Sequence, residues 1–177
     1  MIVDLRSVLH APRHFNFTLE GDWWQGNGED DQVLGLDGPV EATLSISKAG
    51  AEYVLEGRLS GTIRLRCDRC LEPYPRDLKC DFRLCQTSGP SESEPSEVEL
   101  SEEDLAVDFV TEEQIDLDGI FREQIYLSLP MKSLCREDCL GLCPVCGADL
   151  NKVKCECQPE KGHPGFSKLR DLRFKGV

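Results

Sequence analysis

The stretch CREDCLGLCPVCGADLNKVKCEC, residues 135–157, holds six of the ten cysteines in this 177-residue chain. They form three close pairs with the spacings C-x3-C, C-x2-C and C-x-C, and a fourth pair of spacing C-x2-C lies upstream at residues 67 and 70. Short spacings suit a metal because one tight turn can aim two thiolates at the same ion, and Zn²⁺ takes four such ligands in a tetrahedron. Four pairs therefore predict two four-cysteine zinc sites.

The segment C-P-V-C-G at 143–147 has the form of a zinc knuckle. Gly147 can adopt the positive φ that points backbone N–H groups at the two sulfurs, and such hydrogen bonds soften the charge of thiolates around a cation. The C-x-C pair follows on a predicted returning strand. We predict a first zinc site, called cluster one, made of Cys143, Cys146, Cys155 and Cys157.

The upstream pair needs two more ligands from elsewhere in the chain. Cys67 and Cys70 end a predicted strand and open a turn, while Cys135 and Cys139, spaced as i and i+4, can share one face of a helical turn. We predict a second site, called cluster two, made of Cys67, Cys70, Cys135 and Cys139. Spacing alone leaves open the alternative in which the two C-x2-C knuckles pair with each other.

Two other chemistries compete with zinc at these cysteines. A redox pair at Cys143 and Cys146 would be expected within a thioredoxin-like βαβ pattern, which the sequence lacks, and an iron–sulfur cluster would be expected with ferredoxin spacing. An all-cysteine set closes the coordination sphere to water, so the predicted zinc is structural. Cys80 and Cys85 lie on opposite faces of one strand, with Cys80 directed to the core.

The first ninety residues alternate between apolar and polar side chains, which is typical of strands with one buried face. Gly57 and Gly61 predict bulges or a bend in this part of the chain. A later apolar stripe at four-residue spacing predicts a helix that Asp116 or Asp118 caps and that runs through Leu129 to Pro130. The stripe consists of Leu117, Phe121, Ile125 and Leu129.

The predicted fold class is α+β: an antiparallel sheet body with one or two helices and a C-terminal cysteine-rich zinc module. The second helix would be a short basic one in the C-terminal tail. The predicted division is a β body (1–86), an acidic flexible loop (87–104), a strand and helix that complete the body (105–134), a zinc module (135–160) and a basic tail (161–177).

The charge of the chain is unevenly distributed. The net charge is −13, but 12 of the 33 acidic residues lie between Glu92 and Asp118, where there is no lysine or arginine. The remainder has 21 acidic against 20 basic residues, and the segment 161–177 carries five basic residues and one acidic residue. A basic tail and an acidic loop indicate a polarised molecule.

Several function classes are not supported by the sequence. It contains no phosphate-binding glycine loop, no dinucleotide fingerprint and no H-E-x-x-H motif, and its carboxylates form no recognisable acid/base pair. Neither a signal peptide nor the ~20 apolar residues that span a bilayer are found. We predict a cytoplasmic protein with reduced thiols, no enzymatic activity, no membrane partner and no small-molecule substrate.

Three motifs resemble a known family. They are L-R-C-D-R-C-L-E-P at 65–73, D-G-I-F-R-E-Q-I-Y-L-S-L-P at 118–130 and C-x3-C-x-G-L-C-P-x-C-G-x-D-L-N at 135–151. In this order they resemble the YceD family of large ribosomal RNA subunit accumulation proteins, a bacterial family with chloroplast relatives. The resemblance implies a role in accumulation or processing of large-subunit ribosomal RNA and implies no known enzymatic activity.

The leading hypothesis is a non-enzymatic ribosome-biogenesis factor with structural zinc, whose partner is ribosomal RNA or a pre-ribosomal particle. Its predicted RNA-binding residues are Lys168, Arg170, Arg173 and Lys175, which would contact phosphates. The alternative is an adaptor whose acidic loop binds a basic ribosomal protein or a ribonuclease without touching RNA. A third, weaker hypothesis is a thiol oxidoreductase.

Overall fold

The structure is a computed structural model that describes residues 1–9, 11–25, 31–50, 52–88, 107–110 and 114–157. The strands are β1 (Ile2–Asp4), β2 (Arg13–Leu19), β3 (Val33–Leu36), β4 (Val40–Ala49), β5 (Glu52–Arg66), β6 (Pro73–Ser88), β7 (Val107–Val110) and β8 (Gln114–Asp116). One α-helix, α1 (Leu117–Leu127), and two short 3-10 helices, Leu5–Val8 and Gly21–Trp23, complete these described ranges. The predicted tail helix, and residues 89–104 of the predicted acidic loop, lie outside them.

The long strand β5 is the centre of a six-stranded sheet. β6 pairs antiparallel with β5 from end to end, while β4 pairs with the first part of β5 and β3 with the last part. β2 pairs antiparallel with β4, and β1 pairs with β8 in a separate two-stranded ladder. The predicted antiparallel sheet is thus confirmed, with one exception: β7 runs parallel to the end of β6.

The hydrophobic core lies on one face of this sheet. In β4 the alternating side chains Val40, Ala42, Leu44 and Ile46 are each at most 2% exposed. The ring of Phe121, on α1, meets Phe17 and Phe82 edge-on at centroid distances of 6.0 and 6.4 Å. Helix α1 therefore covers the apolar face of β2 and β6, as the period-two pattern requires.

Gly57 and Gly61 form no bulge in β5, so the prediction of bulges is wrong. The β5–β6 register runs without interruption past both glycines, and the β4–β5 register runs without interruption past Gly57. Gly57 pairs with Phe82, and a Cβ on Gly57 would lie 2.2 Å from the Phe82 ring. The missing side chain makes room for the ring, and the actual irregularity lies in β3 between Val33 and Gly35.

Helix α1 begins and ends through local hydrogen bonds. The side chain of Asp116 accepts a hydrogen bond from the backbone N–H of Asp118 at 3.1 Å, which satisfies one free donor of the first turn. The predicted stripe faces the core, but the helix ends at Leu127, two residues early, because the Leu129 N–H bonds the Tyr126 carbonyl in a tighter turn before Pro130. No helix among the described residues has the length and apolar character needed to cross a bilayer.

Candidate metal centres

The structure brings the sulfurs of cluster two together from two distant parts of the chain. The four Sγ atoms all lie within 4.8 Å of one another. The Cys67 and Cys139 sulfurs are 3.9 Å apart, and those of Cys70 and Cys135 are 3.8 Å apart. Four thiolates at ~2.3 Å from one zinc ion would be separated by about 3.8 Å in a tetrahedron. The donor set and its spacing therefore fit a tetrahedral ion.

Cluster two is positioned by the turn between β5 and β6 and by the segment that follows α1. Cys67 follows the last residue of β5, and its N–H bonds the Glu72 carbonyl at 3.0 Å, which closes the turn. Asp68 and Ser133 then join the two halves: the Asp68 N–H bonds the Ser133 carbonyl at 2.8 Å, and the Ser133 N–H bonds Asp68 Oδ2 at 2.6 Å. Ser133 is fully buried.

A third segment, which contains Gln32, connects this junction to the sheet through hydrogen bonds. The Gln32 amide donates from Nε2 to Ser133 Oγ at 2.8 Å, and the Gln32 carbonyl accepts from the Arg66 N–H at 3.0 Å. Gln32, Asp68 and Ser133 were not predicted from the sequence. None of them carries a spacing signal, because each acts through a contact between segments remote in the chain.

The thiols of cluster two have unequal acidities. Burial opposes ionisation of Cys67, but backbone N–H groups of Cys70, Cys135 and Arg69 outweigh it and lower the Cys67 pKa to about 6. Burial, together with the neighbouring thiols, raises the pKa of Cys135 to about 12, and burial also raises the pKa of Cys70. Four thiols so close together cannot all ionise unless a positive charge offsets the repulsion between the thiolates, and a divalent cation would supply that charge.

Cluster one is built within a single stretch of chain. Its four Sγ atoms also lie within 4.8 Å of one another, with Cys143 buried and Cys146 exposed. Backbone N–H groups of Cys146 and Val145 lower the Cys143 pKa to about 6. The Cys146 thiol and burial raise the pKa of Cys157 to about 12. As in cluster two, one sulfur is prepared to ionise and another is held protonated in the absence of a cation.

The two C-x2-C knuckles share the same backbone turn. In cluster one, the Gly147 N–H bonds the Cys143 carbonyl at 2.9 Å and Gly147 has φ +73°. In cluster two, the Leu71 N–H bonds the Cys67 carbonyl at 2.9 Å and Leu71 has φ +61°. Leucine rarely adopts this conformation, so the first knuckle, with its glycine, was easier to predict from the sequence than the second.

Two local expectations about the cysteine pairs are wrong. Cys135 and Cys139 do not lie on a helical turn, since the Cys139 N–H bonds the Arg136 carbonyl three residues back at 3.2 Å. Cys155 and Cys157 do not lie on a strand. The two knuckles do not pair with each other either, because each knuckle shares its cluster with another cysteine pair.

The remaining predicted residues divide between the core and the part outside the described ranges. Cys80 is partly buried and its thiol lies 3.7 Å from the Gln124 carbonyl of α1, so it faces the core. Cys85 is partly buried and belongs to neither cluster. The four predicted RNA-binding residues, Lys168, Arg170, Arg173 and Lys175, lie outside the described residues.

Curated proteins similar to this chain include plant, mycobacterial and other bacterial ones. The chloroplastic large ribosomal RNA subunit accumulation protein YCED homolog 1 of Zea mays is 29% identical over 192 residues, covering 96% of this chain and 64% of that protein. An uncharacterized protein of Mycobacterium tuberculosis is 36% identical over 147 residues, which cover 83% of this chain and 63% of that protein. The large ribosomal RNA subunit accumulation protein YceD of Haemophilus influenzae is 31% identical over 102 residues, which cover 57% of this chain and 56% of that protein.

The chain spans between about half and two thirds of the length of the curated relatives it matches. No solved structure matches it. The model of one family, described as large ribosomal RNA subunit accumulation protein YceD, matches residues 55–173. That match begins in β5 ahead of Cys67 and continues beyond Cys157, so it includes all eight clustered cysteines. The chain therefore belongs to the YceD family.

Proposed function

We propose that this chain is a non-enzymatic cytoplasmic factor that supports the accumulation or processing of large-subunit (23S) ribosomal RNA. The observation that carries the proposal is the family match, which extends over both cysteine knuckles and α1. The family description names an accumulation protein and no catalytic activity. No disulfide joins any of the ten cysteines, as expected for a protein of a reducing compartment.

In this proposal each cluster holds one structural zinc ion. Each offers four cysteine sulfurs, which fill a tetrahedral shell and leave no position for a reacting water. Zinc in cluster two would hold the β5–β6 turn against the segment after α1, and zinc in cluster one would close the loop 147–154. The β body, completed by 105–134, then acts as a scaffold, and 135–160 is its metal-dependent module.

Loss of the chain from its host is expected to lower mature large-subunit ribosomal RNA relative to small-subunit ribosomal RNA. The wild-type chain should restore the ratio and the Cys67→Ser variant should not, because the serine variant lacks a ligand of cluster two. Cys85→Ser is the matched control, since Cys85 lies outside both clusters, and it should restore the ratio. Northern blotting or long-read sequencing of total RNA measures both species. An unchanged ratio after loss of the chain contradicts the proposal.

We propose that the basic tail 161–177 contacts ribosomal RNA phosphates through Lys168, Arg170, Arg173 and Lys175. Its five basic residues against one acidic residue support this assignment. Phosphate contacts confer affinity that falls steeply with salt, and they read little sequence.

Changing Lys168, Arg170 and Arg173 together to alanine should weaken co-sedimentation with pre-ribosomal particles. The slope of log affinity against log salt should become shallower by about three, one for each lost contact. The matched control removes three exposed cations from the strands of the β body and should leave both quantities unchanged; these cations are Arg13, Arg76 and Lys79. Equal co-sedimentation of the tail variant and the wild type would exclude the tail from RNA binding.

The second candidate function is an adaptor that binds a basic ribosomal protein or a ribonuclease without direct RNA contact. The 12 acidic residues between Glu92 and Asp118 favour it, because such a segment attracts basic partners and repels phosphates. Crosslinking in cells separates the two candidates. RNA adducts favour the first, and adducts to protein alone favour the second.

A further inference from the structure

We propose that the two cysteine clusters bind their metal ions cooperatively and that Asn151 is the positioning residue that couples them. This inference rests on the proposed occupancy of both clusters. It adds that neither site is independent: an ion in either cluster raises the affinity of the other for metal. The chemical class of ligand is a divalent cation that prefers thiolates, such as Zn²⁺.

Asn151 belongs to one cluster by sequence and contacts the other in space. It lies in the loop 147–154 that joins Cys146 to Cys155, both of cluster one. Its side-chain amide donates from Nδ2 to the Cys139 sulfur of cluster two at 3.4 Å. Donors to a metal-bound thiolate reduce its charge and orient it, so this contact acts on a sulfur of the neighbouring cluster.

The side-chain oxygen of Asn151 accepts hydrogen bonds from the segment that contains Cys139. Asn151 Oδ1 accepts from the Leu140 N–H at 2.8 Å and from Arg136 Nη2 at 2.6 Å. Asp149 Oδ1 in turn accepts from the Asn151 N–H at 2.9 Å and from Asn151 Nδ2 at 2.7 Å. The side chain is thus held from its own loop, and it fixes the position of the cluster-two segment 136–140.

A second set of contacts, made by backbone groups, also joins the two clusters. The Leu142 N–H, next to Cys143 of cluster one, bonds the carbonyl of Arg69 inside the cluster-two knuckle at 3.0 Å. The Leu150 N–H bonds the Gly141 carbonyl at 2.9 Å. Gly141 has φ +75°, and a Cβ there would lie 2.9 Å from the Arg69 carbonyl oxygen, so only glycine permits this approach.

These contacts give the coupling a physical cause. Ordering the loop 147–154 costs conformational entropy, and metal in cluster one would close that loop. Once the loop is ordered, Asn151 is in place to donate to Cys139, so the second ion no longer has to order it. By linkage, metal in cluster two favours cluster one by the same factor. The exposed Lys152–Glu72 ion pair, 2.6 Å long, also crosses the junction but contributes little in solvent.

The coupling factor can be measured with zinc and a competing chelator on the full chain. Native mass spectrometry counts the zinc-free, one-zinc and two-zinc forms at each free zinc concentration. The overall constant for two ions is compared with the product of the single-site constants. The constant for cluster two comes from the Cys155→Ser, Cys157→Ser variant, and that for cluster one from the Cys70→Ser, Cys135→Ser variant. We expect the overall constant to exceed the product about tenfold.

The Asn151→Ala change, made in the intact chain and in both cysteine variants, should reduce this ratio to below about twofold. The matched control is Asn16→Ala, an exposed asparagine on β2, which should leave the tenfold ratio unchanged. If a cysteine variant fails to fold, the intact chains suffice. At half saturation, the one-zinc form should then be rarer in the wild type than in the Asn151→Ala variant.

A ratio near one in the wild type overturns the coupling, and a tenfold ratio that Asn151→Ala leaves unchanged overturns the role of Asn151, while both metal sites stand in either case. Failure of the underlying metal proposal has a different signature. In that case, the wild type takes up fewer than two zinc ions, or its cobalt(II) form lacks the absorption of thiolate coordination.

Discussion

Replacing Cys67 by serine is expected to leave one metal ion per chain instead of the two proposed for the wild type, and to lower the free energy of unfolding by about 3 kcal/mol or more. Cys67 is fully buried and lies 3.9 Å from the Cys139 sulfur. A serine hydroxyl does not ionise at neutral pH and is a poor zinc ligand, so cluster two would lose its ion together with the folding energy that the ion supplies. The expected fall in Tm is roughly 10 °C.

The measurement is elemental analysis of protein purified under reducing conditions without added metal, together with thermal unfolding. Cys85→Ser serves as the control because Cys85 is partly buried yet outside both clusters, and it should keep two ions. Cluster one should stay filled in the Cys67→Ser variant, since a tenfold coupling is small beside the binding energy of a structural zinc. Two ions in the Cys67→Ser variant, or none in the wild type, would refute the assignment of cluster two.

Replacing Phe121 by alanine is expected to destabilise the β body by about 3–5 kcal/mol. The side chain is fully buried and is the contact between α1 and the rings of Phe17 and Phe82. Its removal leaves a cavity that the sheet cannot close, because Phe82 already packs onto Gly57. Urea unfolding followed by circular dichroism measures the loss.

Leu127 offers the control on the same helix, because its side chain is 70% exposed and its replacement by alanine should change stability by less than about 0.5 kcal/mol. The Phe121→Ala variant should bind as many metal ions as the wild type, since Phe121 belongs to the main core and the buried cysteines of cluster two form a separate group. A stability loss below about 1 kcal/mol would show that α1 does not depend on this anchor.

Some features of the fold could be predicted from the sequence because they depend on residues close together in the chain. The alternation from Val40 to Ile46 corresponds to β4, and the stripe that includes Phe121 corresponds to the buried side of α1. The role of Gly57 could not be predicted from the sequence, because a glycine in a strand indicates either a bulge or a close approach. Only the partner across the sheet, Phe82, distinguishes the two.

The sequence by itself determined the eight clustered cysteines and the C-x2-C turns, because short spacings act within a few residues, and its three motifs carried the resemblance to the family. It left open which pairs share a cluster. Tertiary structure decided that, since it closes a separation of more than sixty residues between Cys70 and Cys135. Such a closure depends on whether buried backbone groups find partners, as they do between Asp68 and Ser133. The contact of Asn151 with Cys139 has the same origin: it exists only once the two knuckles have packed together.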